Sequence, residues 1–298
     1  MLQNSNIVEH DNHAQAVITW TCELPGVRAG SALVSSADRL LVAQDDAFML
    51  FWLHDLDRDA PAPPRLHGMP LRSVAGPLAK ADKPDFEAAT DLPDGRVVII
   101  GSGSAAMRNF VVVMDPDRAT YAIRDASRIY ALVGEALGHE LNIEALLWTG
   151  DAFRLFHRGN TGPGNATVDL LVDPDDPRDV QIRAVTAWDI GQVPGQNGPV
   201  SLTFTDADLG QSGRQWFVAA AEDTPNAIDD GPVVGSSVGF LEGGSGRWTL
   251  LHNTDRTLST RKAEGLVIDP DAKGGWLVTD PDDEQLCAEL CRVELRGW

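Results

Sequence analysis

Short apolar runs rich in Val, Ile, Leu, Phe and Trp recur along the whole chain, each cut off by Asp, Gly, Pro or Ser. Runs of this kind, β-branched or aromatic and bounded by turn residues, predict strands joined by tight hairpins. Three segments share one frame. Glu87-Ala88-Ala89 leads through Asp94-Gly95 to the apolar residues 97–100. Glu144-Ala145-Leu146 leads through Gly150-Asp151 to 153–156, and Glu264-Gly265-Leu266 leads through Gly274-Gly275 to 276–278. In each, a Glu is followed by a small residue, and the second apolar run ends in polar residues. Two looser copies start at Ser31 and Ser201. The five anchors, Ser31, Glu87, Glu144, Ser201 and Glu264, are separated by 56, 57, 57 and 63 residues.

The second, third and fourth repeats also hold a second pair of runs, at 110–114 and 120–123, at 168–172 and 180–185, and at 238–241 and 248–251. Four strands per repeat of this length is the pattern of a β-propeller blade. The expected fold is therefore all-β: a single five-bladed β-propeller over residues 14–298, with four-stranded antiparallel blades. Six blades is the alternative, because the 63-residue interval and the stretch 223–235 leave room for one more. The last repeat lacks a fourth strand, while residues 16–22 are a strand without a blade. Pairing the two would close the ring and cover a sheet edge. Residues 1–13 are polar and are expected to be a disordered or extended tail. One helix is expected, over 126–137, stopped by Gly138.

Length and composition fit a turn-rich fold with a packed core: 298 residues, 43% hydrophobic, with 28 Gly and 18 Pro. The charge narrows the partners. Asp+Glu total 44 against 24 Lys+Arg, a net charge of −20. Such a field repels phosphate backbones and anionic lipid, so nucleic acid and membrane surfaces are not expected as partners. A small molecule or a protein is, and the chain is expected to be a monomer. Cys22, Cys287 and Cys291 form neither a CxxC pair nor a disulfide framework. The first residues have no basic segment followed by an apolar one, and no apolar run is long enough to span a bilayer. A cytoplasmic location is the expectation.

In a propeller the first strand of each blade lines the central channel. Glu87, Glu144 and Glu264 should then converge around the axis. Buried carboxylates repel one another and lose solvation, so they require cations or hydrogen bonds. Three answers stand open. A hard cation such as Ca²⁺ would accept their oxygens, with Glu222 as a further ligand. Lys83, Lys262, Arg108 or Arg158 would pair with them. Backbone N–H groups would hold them, knitting the blades together. The second strands end in Asp45-Asp46, Gly101-Ser102-Gly103-Ser104, His157-Arg158-Gly159-Asn160, Glu222-Asp223 and Asp280-Pro281-Asp282-Asp283. All five endings should share one face, and loops on a rigid scaffold are where binding is placed. Lys83, Ser102, Ser104, Arg108, Arg158, Asn160, Glu222, Asp223, Lys262 and Asp280 are the candidate ligand-binding residues. His157 is a candidate general base or metal ligand, although no second His stands at ligand spacing. The catalytic candidates are Glu87, Glu144, Glu264 and His157. HExxH, GxGxxG and the P-loop are all absent.

A resemblance rests on Lys83-Pro84-Asp85-Phe86-Glu87-Ala88, Gly101-Ser102-Gly103-Ser104 with Arg108, Asn142-Ile143-Glu144, Arg158-Gly159-Asn160, Glu222-Asp223 with Asp230-Gly231, and Lys262-Ala263-Glu264-Gly265-Leu266. With these the chain resembles an uncharacterised family of bacterial β-propellers, itself similar to the esterase-like phytase and SdiA-regulated-type propellers. The phytase-like relatives imply Ca²⁺ and phosphoester hydrolysis. This chain has few lysines for a polyphosphate, and only three of its five anchors are Glu. Two functions are therefore carried forward. One is a binding propeller with a ligand, metal ion or protein at an acidic channel mouth. The other is a Ca²⁺-dependent hydrolase of a small ester, phosphoester or lactone.

Overall fold

The computed structural model describes residues 5–72, 78–79, 82–159, 164–196, 198–223 and 231–298. Two strands open the chain, β1 (Asn6–His10) and β2 (Gln15–Glu23). Four-stranded antiparallel units follow. The first is β3 (Gly30–Ser36), β4 (Arg39–Gln44), β5 (Met49–His54) and β6 (Arg65–Pro70). The second is β7 (Phe86–Asp91), β8 (Val97–Gly101), β9 (Phe110–Asp115) and β10 (Thr120–Asp125). After helix α1 (Ser127–Leu137) comes the third: β11 (Ile143–Trp148), β12 (Phe153–His157), β13 (Asn165–Asp173) and β14 (Asp176–Asp189). A hairpin, β15 (Gln192–Gly195) with β16 (Gly198–Ser201), leads to the fourth: β17 (Thr203–Leu209), β18 (Gln215–Glu222), β19 (Val233–Glu242) and β20 (Ser245–Asn253). The last unit is β21 (Lys262–Ile268), β22 (Gly274–Asp280) and β23 (Glu289–Arg296), with β2 lying antiparallel on β23 as its fourth strand. The fold is all-β and propeller-like.

Apolar side chains fill the spaces between units. Separate buried clusters lie between the first and second, second and third, third and fourth, and fourth and fifth units. A further one joins Leu33, Leu40 and Val42 of the first unit to Trp276, Val278 and Leu290 of the fifth. A strand packed on both faces has no polar side to show. Val97, Val98, Ile99, Ile100 and Gly101 of β8 are all buried for this reason. Helix α1 buries Ile129, Tyr130, Val133 and Leu137 against the second and third units. It spans nearly the residues expected and ends at Gly138, whose φ of 76° is the left-handed stop that glycine adopts freely.

The first strands of the units touch in the order β3, β7, β11, β17, β21 and back to β3, without pairing into a ladder. Side chains satisfy the backbone groups this leaves open. Thr90 Oγ1 accepts the Trp148 N–H at 3.1 Å, and Asn165 Oδ1 accepts that of Phe204 at 3.1 Å. Asp206 and Asp208 accept the N–H groups of Leu266 and Ile268, each at 2.7 Å. Unsatisfied inner edges would otherwise cost about 1–3 kcal/mol per buried group.

The N-terminal strands bind the outer rims. β1 runs parallel to both β14 and β20, and β2 lies between β20 and β23, pairing with β20 through Ala16, Val17 and Ile18 and with β23 along its whole length.

Candidate functional site

Every first strand carries a bulge near its start. The register shifts between Gly30 and Ala32, Phe86 and Ala88, Ile143 and Ala145, Phe204 and Asp206, and Ala263 and Gly265. A bulge inserts one residue and re-aims its side chain. The residues so placed are Ser31, Glu87, Glu144, Thr205 and Glu264. This corrects the fourth anchor. Ser201 belongs to the β16 hairpin, and Thr205 takes the place assigned to it. The pattern Ser-Leu-Thr at 201–203 mimicked the other repeats because the hairpin added residues ahead of the true strand.

Short and long anchors do different things. Ser31 donates to the Phe86 carbonyl and Thr205 donates to the Ala263 carbonyl at 2.5 Å, each tying its unit to the residue before the next anchor. The three glutamates reach instead into a charged cluster at the same end of the sheets.

One half of that cluster gathers around Arg158, which is 5% exposed. Its guanidinium pairs with Glu222, lies 3.6 Å from Glu144 and 3.8 Å from Glu264, and donates to Thr203 Oγ1 at 3.1 Å. Lys262 Nζ stands 3.0 Å from Glu264, 3.0 Å from Asp282 and 3.6 Å from Glu222. Asn142 donates its amide to Glu144 at 2.5 Å. The other half centres on Asp85, whose carboxylate accepts from Ser102 and, at 2.9 Å, from Arg108; Ser104 donates to it at 3.3 Å. Lys83 bridges Asp45 and Asp85, with 3.0 Å to the latter. Oxygens of Asp45, Asp85 and Glu87 all lie within 4.8 Å of one another. Asp85 is itself held at φ 56°, a left-handed backbone that a non-glycine adopts only when its surroundings enforce it.

The groups named comprise eight carboxylates (Asp45, Asp85, Glu87, Glu144, Glu222, Glu264, Asp280, Asp282) and four cations (Lys83, Arg108, Arg158, Lys262). Burial first, and this imbalance second, govern their protonation. Burial, then the neighbouring Asp85 and Glu144, hold Glu87 well above the usual carboxylate range. Burial pushes Glu144 up to about 8 against the pull of Arg158, with Glu264 adding to the rise. Glu264 is likewise pushed to about 8 by burial, opposed by Lys262, and Asp280 to about 7 by burial, again opposed by Lys262. Glu222 goes the other way. Burial opposes its charge, but the adjacent Arg158 and Lys262 prevail and lower it. For Lys262 burial disfavours the charge, and Glu264 and Glu222 more than restore it. At neutral pH the cluster therefore holds protonated carboxyl groups at Glu144 and Glu264 beside an ionised Glu222.

Not every candidate joins this cluster. His157 turns away from it and is 1% exposed. Its Nδ1 accepts the Asn142 N–H at 3.2 Å, which puts the proton on Nε2, and Nε2 has no partner among the described residues. Its ring lies 4.6 Å from that of His139. Burial, then His139, lower His157 to about 4, so it stays neutral. Asp223 lies against the β15–β16 hairpin, with Oδ2 near Gly195. Asn160 and Asp230 fall outside the described residues. Sequence reasoning did not single out Asp45, Asp85 and Asp282 as individual partners, nor His139. Asp45 and Asp282 stood in strand endings expected to share one face, and Asp85 in the segment that leads to Glu87; nothing in the spacing connects His139 to His157.

Among the described residues no helix is long and apolar enough to cross a membrane. Residues 26–295 match the sequence profile of DUF6929, a family of unknown function. No curated protein matches the chain. Among solved structures, glutaminyl cyclase of Myxococcus xanthus is similar at a TM-score of 0.51 and 11% identity, covering 98% of both chains. At that identity the likeness speaks for the fold alone. Hydrazine synthase of Kuenenia stuttgartiensis gives a TM-score of 0.39 at 10% identity, covering 86% of this chain and 75% of that one. That second likeness carries no weight.

Proposed function

The chain belongs to DUF6929, and we propose that it is a closed five-bladed β-propeller that binds a small positively charged ligand at its acidic mouth. The five four-stranded units are the blades, and β2 on β23 is the closure. The apolar layer between the fifth and first units and the cyclic contacts of the first strands support that reading. The observation that carries the function is the surplus of buried carboxylates over cations around Arg158 and Lys262. A structural ion network would balance its charges, because each uncompensated buried charge is destabilising by several kcal/mol, of order 3–5. Protonation of Glu87, Glu144 and Glu264 relieves the surplus in the free protein. A cation that displaces those protons would relieve it better. Ca²⁺, which takes 6–8 oxygens, and organic ammonium ions both fit this chemistry.

A second reading has its own support. A buried carboxyl that keeps its proton near neutral pH is what a general acid requires, and Glu144 and Glu264 are both of that kind. On this reading the protein is a hydrolase of a small ester, phosphoester or lactone, the phytase-like chemistry that the sequence resemblance implies, with Ca²⁺ at the mouth.

Thermal unfolding with Ca²⁺, with EDTA and with simple amines, together with turnover of chromogenic esters and phosphoesters, separates the two. The binding reading expects a rise in Tm with a cationic ligand and no turnover. Turnover that is lost in Glu144→Gln and Glu264→Gln would favour the hydrolase. A Tm that responds to neither Ca²⁺ nor amines would remove the support for a cationic ligand.

A further inference from the structure

A pocket of about 470 Å³ opens beside the mouth between the fourth and fifth units. Its polar wall is Lys262, Asp280 and Asp282, and its apolar wall includes Val233, Pro281 and Leu286. The volume is that of a small-molecule site.

The cations of the pocket are already engaged. Lys262 is shared between Glu264 and Asp282 at 3.0 Å each. Arg261 is clamped to Glu289 at 2.7 Å and reaches Asn253 at 3.1 Å. The acids are less well provided for. Asp280 Oδ1 accepts the Asp282 N–H at 2.8 Å, and Lys262 is the one cation among the main influences on its charge. Glu23 also lines the pocket, and no ion pair involves it among the described residues. An incoming anion would find no free positive group. A bare divalent ion would gain nothing from Val233 and Leu286, and it requires a close shell of oxygens at about 2.3–2.6 Å. An ion with a charged head and a short hydrocarbon body uses both walls.

We propose that this pocket is the subsite for a small primary alkylamine, its ammonium held by Asp280 and Asp282 and its alkyl chain lying along Val233, Pro281 and Leu286. The assignment rests on the cationic-ligand reading of the mouth and selects the organic ion from the two chemistries that reading allows. Lys262 then has a second role. It separates the pocket from Glu264 and Glu222, so that an ammonium arriving at Asp282 competes for that carboxylate and shifts Lys262 towards the axial glutamates. Because burial holds Asp280 near 7, the amine must bind more tightly as pH rises from about 6 to 8.

Calorimetric titration of the full chain with n-butylamine tests this, with 1-butanol and Ca²⁺ as comparison ligands. Leu286 is 52% exposed at the rim, so Leu286→Arg places a competing cation over the acids, whereas Leu171→Arg, at a residue 40% exposed on β13 and outside the pocket, adds the same charge elsewhere. The expected result is binding of butylamine but not of butanol. Affinity should fall about tenfold or more in Leu286→Arg and in Asp282→Asn, and stay within about twofold in Leu171→Arg. Two results overturn the subsite and leave the mouth standing: Ca²⁺ binds while butylamine does not, or butylamine binds equally well to Leu286→Arg. Absence of binding by both Ca²⁺ and butylamine overturns the subsite and the mouth together.

Discussion

Glu144 and Glu264, from the third and fifth units, face the same nitrogen of Arg158, at 3.6 and 3.8 Å from Nη1. A single guanidinium thus serves carboxylates from two separate four-stranded units, and its Nη2 takes Glu222 from another. Arg is suited to this because its fork offers several donors in fixed directions and keeps its charge when buried.

Arg158 should accordingly be among the most sensitive positions in the chain. Arg158→Met leaves three buried carboxyl groups without their common partner, and a loss of about 3–5 kcal/mol is expected in urea denaturation. Arg178, paired with Asp176 at the surface, is the control, and Arg178→Met should leave the urea midpoint essentially unchanged. Equal effects at the two sites would deny Arg158 its central place.

The buried acids give the protein an unusual pH response. Glu144 and Glu264 are raised from 4.5 to about 8 in the folded chain. The folded state then binds more protons than the unfolded one between those limits. Stability from these groups is present below 4.5 and is lost as pH rises through 8. His157 works in the opposite sense. Lowered from 6.5 to about 4, it contributes stability above 6.5 that is lost as pH falls through 4. Urea midpoints measured from about pH 5 to 8 should decline for the wild type on the alkaline side and flatten in the Glu144→Gln/Glu264→Gln variant. Parallel curves for the two proteins would contradict the assignment.

His157 is predicted to act through its ring nitrogen rather than its charge. His157→Leu keeps the bulk but leaves the Asn142 N–H without an acceptor, which should cost about 1–3 kcal/mol. Asn142 also holds Glu144, so the same variant should move the alkaline limb of the stability curve. His139→Ala should do neither. Unchanged stability of the His157→Leu variant at all pH values would make the His157–Asn142 bond incidental.

Removing the N-terminal strands tests what holds the rims. Deleting residues 1–24 uncovers the edges of β20 and β23 together, and open strand edges pair with other chains. Light scattering after size-exclusion chromatography should show aggregation. Deleting 1–12 removes β1 alone and should leave a folded chain with a lower Tm. A monomer with unaltered Tm after the longer deletion would refute the clasp.

The repeat was legible because each unit obeys one local rule: a small or acidic residue at a bulge, an apolar run, a turn, and a second run. Glu87, Glu144 and Glu264 were found this way, and so were the partners Lys83, Arg108, Arg158, Lys262 and Glu222. Helix α1 was legible as the stretch 126–137 stopped by Gly138. What escaped depends on contacts between units. The β15–β16 hairpin displaced the fourth anchor from Ser201 to Thr205 without breaking the apolar pattern. His139 meets His157 only because α1, which it follows, is packed against β14 of the third unit. Strand β1 was unreadable because a short polar strand shows no periodicity until it has a sheet edge to lie on.

The central claim is that buried carboxyl groups outnumber their counter-ions at the mouth and keep protons at neutral pH until a positive ligand arrives. Carboxyl-carbon NMR of chains labelled with ¹³C at glutamate, assigned through Glu144→Gln and Glu264→Gln, reads this directly. The account predicts midpoints near 8 for Glu144 and Glu264, falling when a saturating amine is added. Midpoints close to the ordinary 4.5, with or without ligand, would contradict it.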